Sequence, residues 1–208
     1  MTPAEMLDIF RNKIVVMRGV PSTDSCGGLD YLKITPKSGA SGEARLGELR
    51  TDVPVVQVER ANAGDPGAFL TWIVDYAHND IRYTTISPAR PFCFTATMNG
   101  CTFGIGSPGP NGVLTVSHAN ATAVGNAGGL GQQIERQNRM GVRSDGARDF
   151  DPTNYEVGIY ADTMGLNTTL VGIYDDGAWS FYYQTYACSG TQYVVRTFRK
   201  VDVNRLRA

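Results

Sequence analysis

The sequence has few of the residues from which most metal and acid–base sites are built. Only two histidines, His78 and His118, occur in 208 residues, and none of the four cysteines forms a Cys-x-x-Cys pair. Because zinc sites usually need such close ligand pairs, the cysteine spacing gives a metal little support. An even number of cysteines permits two disulfides, but a chain of this length does not need them, so we expect mostly reduced thiols. We expect neither a metal nor a cofactor.

The chain also lacks an excess of positive charge. Lysine and arginine number 19, against 20 aspartates and glutamates, so nucleic acid and anionic membranes are disfavoured as partners. No run approaches the roughly 20 apolar residues of a transmembrane helix. Residues 1–13 lack the basic start, the apolar run and the cleavage site of an ordinary secretion signal. We therefore expect a soluble chain, whose export would use another kind of signal.

The length suits one domain over residues 1–208, without an internal repeat. At its start, Thr2 followed by Pro3 and Glu5 matches the capping box, and this pattern predicts a helix over Pro3–Asn12. A second helix is predicted after Asp65, where apolar residues recur at helical spacing. These apolar residues are Phe69, Trp72, Ile73 and Tyr76. An exposed helix is also expected at 132–139, after the glycine-rich stretch at 125–131, and a polar loop at 143–153.

Most of the remaining chain favours β-strands. Runs of β-branched and aromatic residues alternate with turn residues, and Asp175-Asp176-Gly177 has the composition of a hairpin turn. The predicted strands cover residues 13–17, 31–35, 53–59, 92–97, 101–106, 113–118, 155–160, 168–174, 178–186 and 191–198. Many strands with few helices indicate an α+β fold, with two packed mixed β-sheets, sandwich-like, and peripheral helices.

Two of these strands bring a thiol and an imidazole together. If 101–106 and 113–118 form an antiparallel hairpin in which Phe103 lies opposite Val116, then Cys101 lies opposite His118. Side chains alternate along a strand, so one face of the hairpin carries an apolar set together with both reactive groups. That face consists of Cys101, Phe103, Ile105, Leu114, Val116 and His118. A shift of two residues in register would leave Cys101 and His118 as diagonal neighbours.

This pair suits nucleophilic catalysis. A free thiol is mostly protonated near neutral pH, and an adjacent imidazole removes the proton and stabilises the thiolate. Gly100 before the cysteine leaves the approach open, and Asn99 and Gly100 are candidate substrate-binding residues. The alternative is that Cys101 only packs the core, since cysteine is among the most often buried residues.

The other thiols and the second histidine have ordinary explanations. Cys93, between two phenylalanines, is predicted to be in the core, and Cys26 lies in a glycine-rich loop. Cys188 has no histidine near it in the sequence, and His78 is expected at the surface or at a helix end.

The segment from Phe92 to Cys101, followed by a glycine-bearing turn and a strand that ends in His118, resembles the catalytic segment of the cytotoxic necrotizing factor family of glutamine deamidases. The likeness is greatest to the Burkholderia lethal factor branch, and the bacterial chemotaxis deamidase has a similar arrangement. The family places a small residue, Gly and Cys on one strand and His on the next, which Asn99-Gly100-Cys101 and His118 match. The resemblance covers residues 92–118.

The resemblance implies more than the local pattern does. It implies a two-sheet α+β fold and a toxin or effector that is secreted or injected by bacteria and acts in the cytosol of a target cell. The substrate is then a host protein, in this family a small GTPase or a translation-initiation helicase. In the family a backbone carbonyl on the strand before the cysteine orients the histidine, and by motif position that residue is Thr95.

We therefore expect a monomeric protein-glutamine deamidase in which Cys101 attacks and His118 transfers the proton. Transglutamination or peptide hydrolysis would use the same pair. A binding domain without enzymatic activity, in which Cys101 is core, is the remaining alternative.

Overall fold

The computed structural model of the protein describes residues 1–18, 28–46, 49–77, 81–98, 102–106, 108–119, 142–143 and 166–201. Over these ranges the chain is mostly β-sheet with one α-helix, which agrees with a sheet-rich α+β fold. The described part contains no helix long and apolar enough to cross a membrane. The expected helix at 132–139, the glycine-rich stretch at 125–131 and the expected strand at 155–160 lie outside the described residues, as does nearly all of the polar loop expected at 143–153.

Within the described ranges, one helix and fourteen strands follow one another along the chain. They are α1 Pro3–Asn12, β1 Ile14–Met17, β2 Gly28–Pro36, β3 Ser41–Leu46, β4 Leu49–Asp52, β5 Val55–Arg60, β6 Phe69–Val74, β7 Ile81–Ile86, β8 Phe92–Thr95, β9 Thr102–Gly106, β10 Leu114–Ala119, β11 Val142–Arg143, β12 Leu166–Asp175, β13 Ala178–Ser189 and β14 Gln192–Lys200. A short 3₁₀ turn, Pro110–Gly112, lies between β9 and β10.

The first helix forms where the capping box predicts it. The Thr2 hydroxyl accepts a hydrogen bond from the Glu5 amide at 3.2 Å, and the Glu5 carboxylate accepts one from the Thr2 amide at 2.7 Å. These two bonds satisfy amides that the first helical turn leaves without partners. Met6 and Phe10 are fully buried against the sheet, so one face of α1 holds the helix in place.

The strands form two sheets. Ten of them lie in the order β1-β5-β2-β6-β8-β12-β13-β14-β3-β4, and four in the order β11-β9-β10-β7. The large sheet is mixed, because β1 with β5, β6 with β8, and β14 with β3 are parallel pairs. The small sheet is antiparallel in all its described pairs, so the expectation of two mixed sheets is wrong for this sheet.

A hydrophobic core fills the space between the two sheets, and we call it the interlayer core. The large sheet and the small sheet both contribute buried side chains to it, as does Val201 after the last strand. Its members are Val74, Ile86, Cys93, Met98, Phe103, Ile105, Leu114, Val116, Leu170, Phe181, Tyr183 and Val201. A second core, between α1 and the other face of the large sheet, is built around Phe10, Phe92 and Phe94.

The second predicted helix is wrong, since Phe69–Val74 forms β6. This strand lies inside the large sheet between β2 and β8, where both of its faces are covered. Such a strand is apolar on both faces, and a continuous apolar run also satisfies the helical spacing. Gly67 precedes it at φ +76°, a conformation that breaks a helix.

The hairpin between β12 and β13 is confirmed. Asp175 pairs with Ala178, and the two residues between them have positive φ, 47° at Asp176 and 79° at Gly177. Positive φ at both central positions is the type I′ geometry that Asp-Gly favours. Strands β3, β4 and β7 had no prediction from the sequence, and β11 takes up the first residue of the expected polar loop.

Gln184, on β13, connects α1 and the edge strand β1 to an inner strand of the large sheet. Its carbonyl oxygen accepts from the Val15 amide at 2.8 Å. Its Nε2 donates to the carbonyls of Phe10 at 3.1 Å and of Lys13 at 2.7 Å. The side chain is 2 % exposed, so these three backbone groups depend on one buried amide.

We expect Gln184→Met, which keeps the length of the side chain, to lower the free energy of unfolding by about 3 kcal/mol, because it leaves buried backbone groups without partners. Urea unfolding followed by circular dichroism measures the change. Gln192→Met, at an exposed position on β14, is the matched control and should change stability by less than about 0.5 kcal/mol. Equal effects of the two substitutions would contradict the role of Gln184.

Candidate functional site

The predicted hairpin forms between β9 and β10, in a register two residues away from the expected one. Ile105 pairs with Val116 and Phe103 with His118, whereas the sequence predicted Phe103 opposite Val116. The intervening 3₁₀ turn is the physical reason. It is closed by bonds from the Gly109 amide to the Val113 carbonyl and from the Val113 amide to the Pro110 carbonyl, so the ladder starts later in β10 than a tight hairpin would allow.

A shift of two residues preserves the side on which each side chain lies. The described members of the predicted face are all buried, with exposures of 0 % for Phe103 and 1 % for His118. Phe103, Ile105, Leu114 and Val116 all belong to the interlayer core, as expected. His118 is therefore an imidazole at the end of an apolar face. Cys101, Asn99 and Gly100 lie outside the described residues, as do Cys26 and His78.

The ends of β6, β8 and β10 meet around His118, which is the last but one residue of β10. Thr95 ends β8, and Val74 ends the neighbouring parallel strand β6. Tyr76 follows Val74 by two residues. The Thr95 hydroxyl lies 2.7 Å from His118 Nδ1, and the Tyr76 ring centroid lies 5.4 Å from that of the imidazole. The large sheet thus supplies the partners, and the small sheet supplies the histidine.

The hydrogen bonds of Thr95 favour one tautomer of His118. The Thr95 hydroxyl lies 3.1 Å from the Val74 carbonyl, which can only accept, and a hydroxyl has only one proton to donate. When that proton goes to Val74, the hydroxyl accepts from His118, and the imidazole proton is on Nδ1. Nε2 then carries a lone pair, and it has no hydrogen-bond partner among the described residues. A neutral imidazole with an unpaired lone pair on Nε2 is the form that a general base requires.

Burial keeps this imidazole neutral. It lowers the pKa of His118 from 6.5 to about 4, because the charged form loses its hydration in the core. The Tyr76 ring covers part of one side of the imidazole, and Tyr76 is itself half-buried.

The contact at Thr95 differs in one respect from what the resemblance implies. The family orients its histidine with a backbone carbonyl, whereas here the side-chain hydroxyl of Thr95 contacts the imidazole. Thr95 is 0 % exposed. Thr95 therefore lies next to His118, and the contact is made by its side chain.

The sequence did not indicate that Tyr76 and Val74 belong to this site. Both follow from β6 being a strand beside β8, and the helical spacing obscured that arrangement. The sequence feature that could have indicated a buried strand there is the largely apolar run 69–74, which is followed by Asp75 and Tyr76.

The two described cysteines have no catalytic setting. Cys93 is a free thiol in the interlayer core, as predicted, and burial raises its pKa. Cys188 is free and half-buried on β13. Neither has a described contact with His118. The prediction that Cys101 is the nucleophile is therefore unchanged.

No protein-family model matches the chain, and no curated protein sequence matches it significantly. The likeness to the deamidase family therefore rests on the motif in residues 92–118.

We expect His118 to stay neutral down to a pH of about 4 in an NMR titration of the imidazole C–H signals. His78→Asn assigns the two histidine signals. Tyr76→Ala should raise the pKa of His118 toward 6.5, because water reaches the ring, whereas Tyr76→Phe should leave it low. An unchanged value in Tyr76→Ala would mean that other groups keep the ring dry.

The same pKa has a consequence for stability. Between 6.5 and about 4 the unfolded chain binds a proton at this histidine and the folded chain does not. Protonation of the unfolded chain therefore lowers the free energy of unfolding progressively as the pH falls through this window.

Proposed function

We propose that the protein is a protein-glutamine deamidase with Cys101 as nucleophile and His118 as general base. The observation that carries the proposal is the state of His118. Its imidazole is buried and neutral, Thr95 holds it in place through Nδ1, and its Nε2 has no hydrogen-bond partner among the described residues. Cys101 immediately precedes β9, the strand that pairs with the end of β10. A buried polar atom without a partner requires an explanation, and a catalytic role provides one.

The reaction starts with proton transfer from the Cys101 thiol to His118 Nε2. The thiolate attacks the carboxamide carbon of a substrate glutamine and forms a tetrahedral intermediate. The imidazolium donates its proton to the leaving nitrogen, and ammonia departs. The acyl group remains on the sulfur as a thioester. Water, activated by the same imidazole, hydrolyses the thioester to glutamate and restores the thiol.

A low pKa does not prevent His118 from acting as a base here. The thiolate formed beside the imidazolium stabilises it, so the two groups titrate as a pair and not as separate sites. Thr95 supports the charged state as well, because its hydroxyl oxygen continues to accept from Nδ1–H.

The substrate class follows the resemblance. A toxin or effector of this kind is delivered into a target cell and acts on a host protein in the cytosol, with small GTPases and translation-initiation helicases as candidate targets. Primary amines in place of water would give transglutamination, and attack on a peptide bond would give proteolysis.

Cys101→Ala should abolish deamidation. A cytosolic extract treated with the wild-type protein should contain glutamines converted to glutamate without new chain ends, as measured by peptide mass spectrometry. The extract treated with Cys101→Ala should contain neither change, because the attacking sulfur is gone.

Cys188→Ala is the matched control, since it removes a free thiol on β13 and should retain full activity. New chain ends with the wild-type protein would indicate a peptidase. Full activity in Cys101→Ala would refute the thiol mechanism.

Thr95→Val should lower kcat by at least about tenfold, because an unoriented imidazole loses part of the factor of about 100 to 10,000 that general base catalysis supplies. Thr95→Ser retains the hydroxyl and should retain most of the activity. The rate of Cys101 alkylation by iodoacetamide near neutral pH should fall in Thr95→Val but not in Thr95→Ser. Equal alkylation rates in both variants would mean that the hydroxyl does not position His118.

A further inference from the structure

Strand β12 carries a buried hydroxyl that the proposed mechanism does not use. Thr168 is 0 % exposed, and its Oγ1 has no hydrogen-bond partner among the described residues. A hydroxyl in this state is less stable than one in water. Thr169 Oγ1 also has no described partner, but Thr169 lies on the opposite face of the strand, so the position of Thr168 relative to His118 is what distinguishes it.

The side chain of Thr168 lies on the face of the large sheet that meets the small sheet. Leu170 pairs with Tyr183, and both belong to the interlayer core. Thr168 is two residues from Leu170 on the same strand, and residues two apart lie on the same face. Thr168 therefore projects into the layer that contains His118.

Thr168 also lies at the same end of this layer as His118. Strand β12 runs antiparallel to β8, so its low-numbered end lies beside the end of β8, where Thr95 contacts His118. Beyond that end, Thr168 and Met98 form a two-bond backbone bridge, with N–O distances of 3.0 and 2.8 Å. Met98 is buried in the interlayer core and precedes Cys101 by three residues in the sequence.

Two buried polar atoms without described partners, His118 Nε2 and Thr168 Oγ1, thus lie toward the same end of the interlayer core, where the Thr95 hydroxyl is already paired. A glutamine side chain has the complementary chemistry. Its methylene groups match apolar neighbours such as Met98 and Leu170, and its carboxamide N–H groups need an acceptor when they leave water.

We propose that Thr168 is a substrate-binding residue whose hydroxyl accepts a hydrogen bond from the carboxamide N–H of the target glutamine. This inference rests on the proposed deamidase function. It adds a contact that contributes equally to binding of the carboxamide in the substrate complex and in the transition state.

The test is Thr168→Val, which keeps the shape of the side chain and removes the hydroxyl. The apparent KM for ammonia release, measured over a dilution series of cytosolic protein extract, should rise about tenfold, while kcat changes by less than about twofold. The melting temperature should stay the same or rise, because the variant removes a polar group that has no partner. Thr168→Ser should keep the wild-type KM.

Thr169→Val is the matched control. Thr169 is equally buried, its Oγ1 likewise has no hydrogen-bond partner among the described residues, and it is the next residue on the strand. It lies on the opposite face, where it pairs with Gln184, so Thr169→Val removes the same kind of hydroxyl away from His118. Its substitution should leave KM unchanged.

An unchanged KM in Thr168→Val, or an equal rise in Thr169→Val, would overturn the proposal. So would a marked fall in the melting temperature of Thr168→Val, which would show that the fold itself uses the hydroxyl. Absence of ammonia release by the wild-type protein would refute the deamidase function and this contact with it. Active wild-type protein with unaffected Thr168→Val would refute the contact alone.

Discussion

One hydroxyl group joins the two sheets at the end where the candidate site lies. The Thr95 side chain donates to Val74 on its own sheet and accepts from His118 on the other. These two bonds orient the imidazole ring and favour the tautomer with the proton on Nδ1. They also bring the ends of β6, β8 and β10 together, because a hydroxyl reaches its partners only at hydrogen-bond distance. The site is therefore a property of how the sheets pack, and no single strand contains it.

The sequence predicted which side chains of the hairpin face the core, but it did not predict the register of the two strands. An alternating apolar pattern fixes which side chains face the core, and Phe103 and Val116 are buried as that pattern requires. The register depends on how many residues the connecting loop uses. Asn111 at φ 56° and Gly112 at φ 73° belong to a turn whose internal bonds delay the start of the ladder. Such a turn follows from local backbone geometry, which the hydrophobic pattern does not encode.

Local signals predicted α1 and the β12–β13 hairpin well, because a capping box and an Asp-Gly turn act through neighbouring residues. The helical spacing of apolar residues gave a wrong prediction for β6, because its strand conformation is set by pairing with β2 and β8 on either side. The same limit applies to the site. Position in a motif indicated Thr95, but only the packing of two sheets shows that its hydroxyl makes the contact. Tyr76 was hidden by the helical interpretation of the same segment.

The interlayer core is an unfavourable place for polar groups, which is why the few that it contains are informative. Gln184, in the other core, satisfies its amide with three backbone partners and so contributes to stability. His118 and Thr168 are buried to a similar degree, yet Nε2 and Oγ1 have no described partners. The bond to Thr95 accounts for Nδ1 of His118 but not for Nε2, and an apolar residue of similar shape at position 168 would avoid the cost of desolvation. In the proposed reaction, the carboxamide of a substrate glutamine would complete the hydrogen bonds of these two groups, which is why their burial without partners supports that proposal.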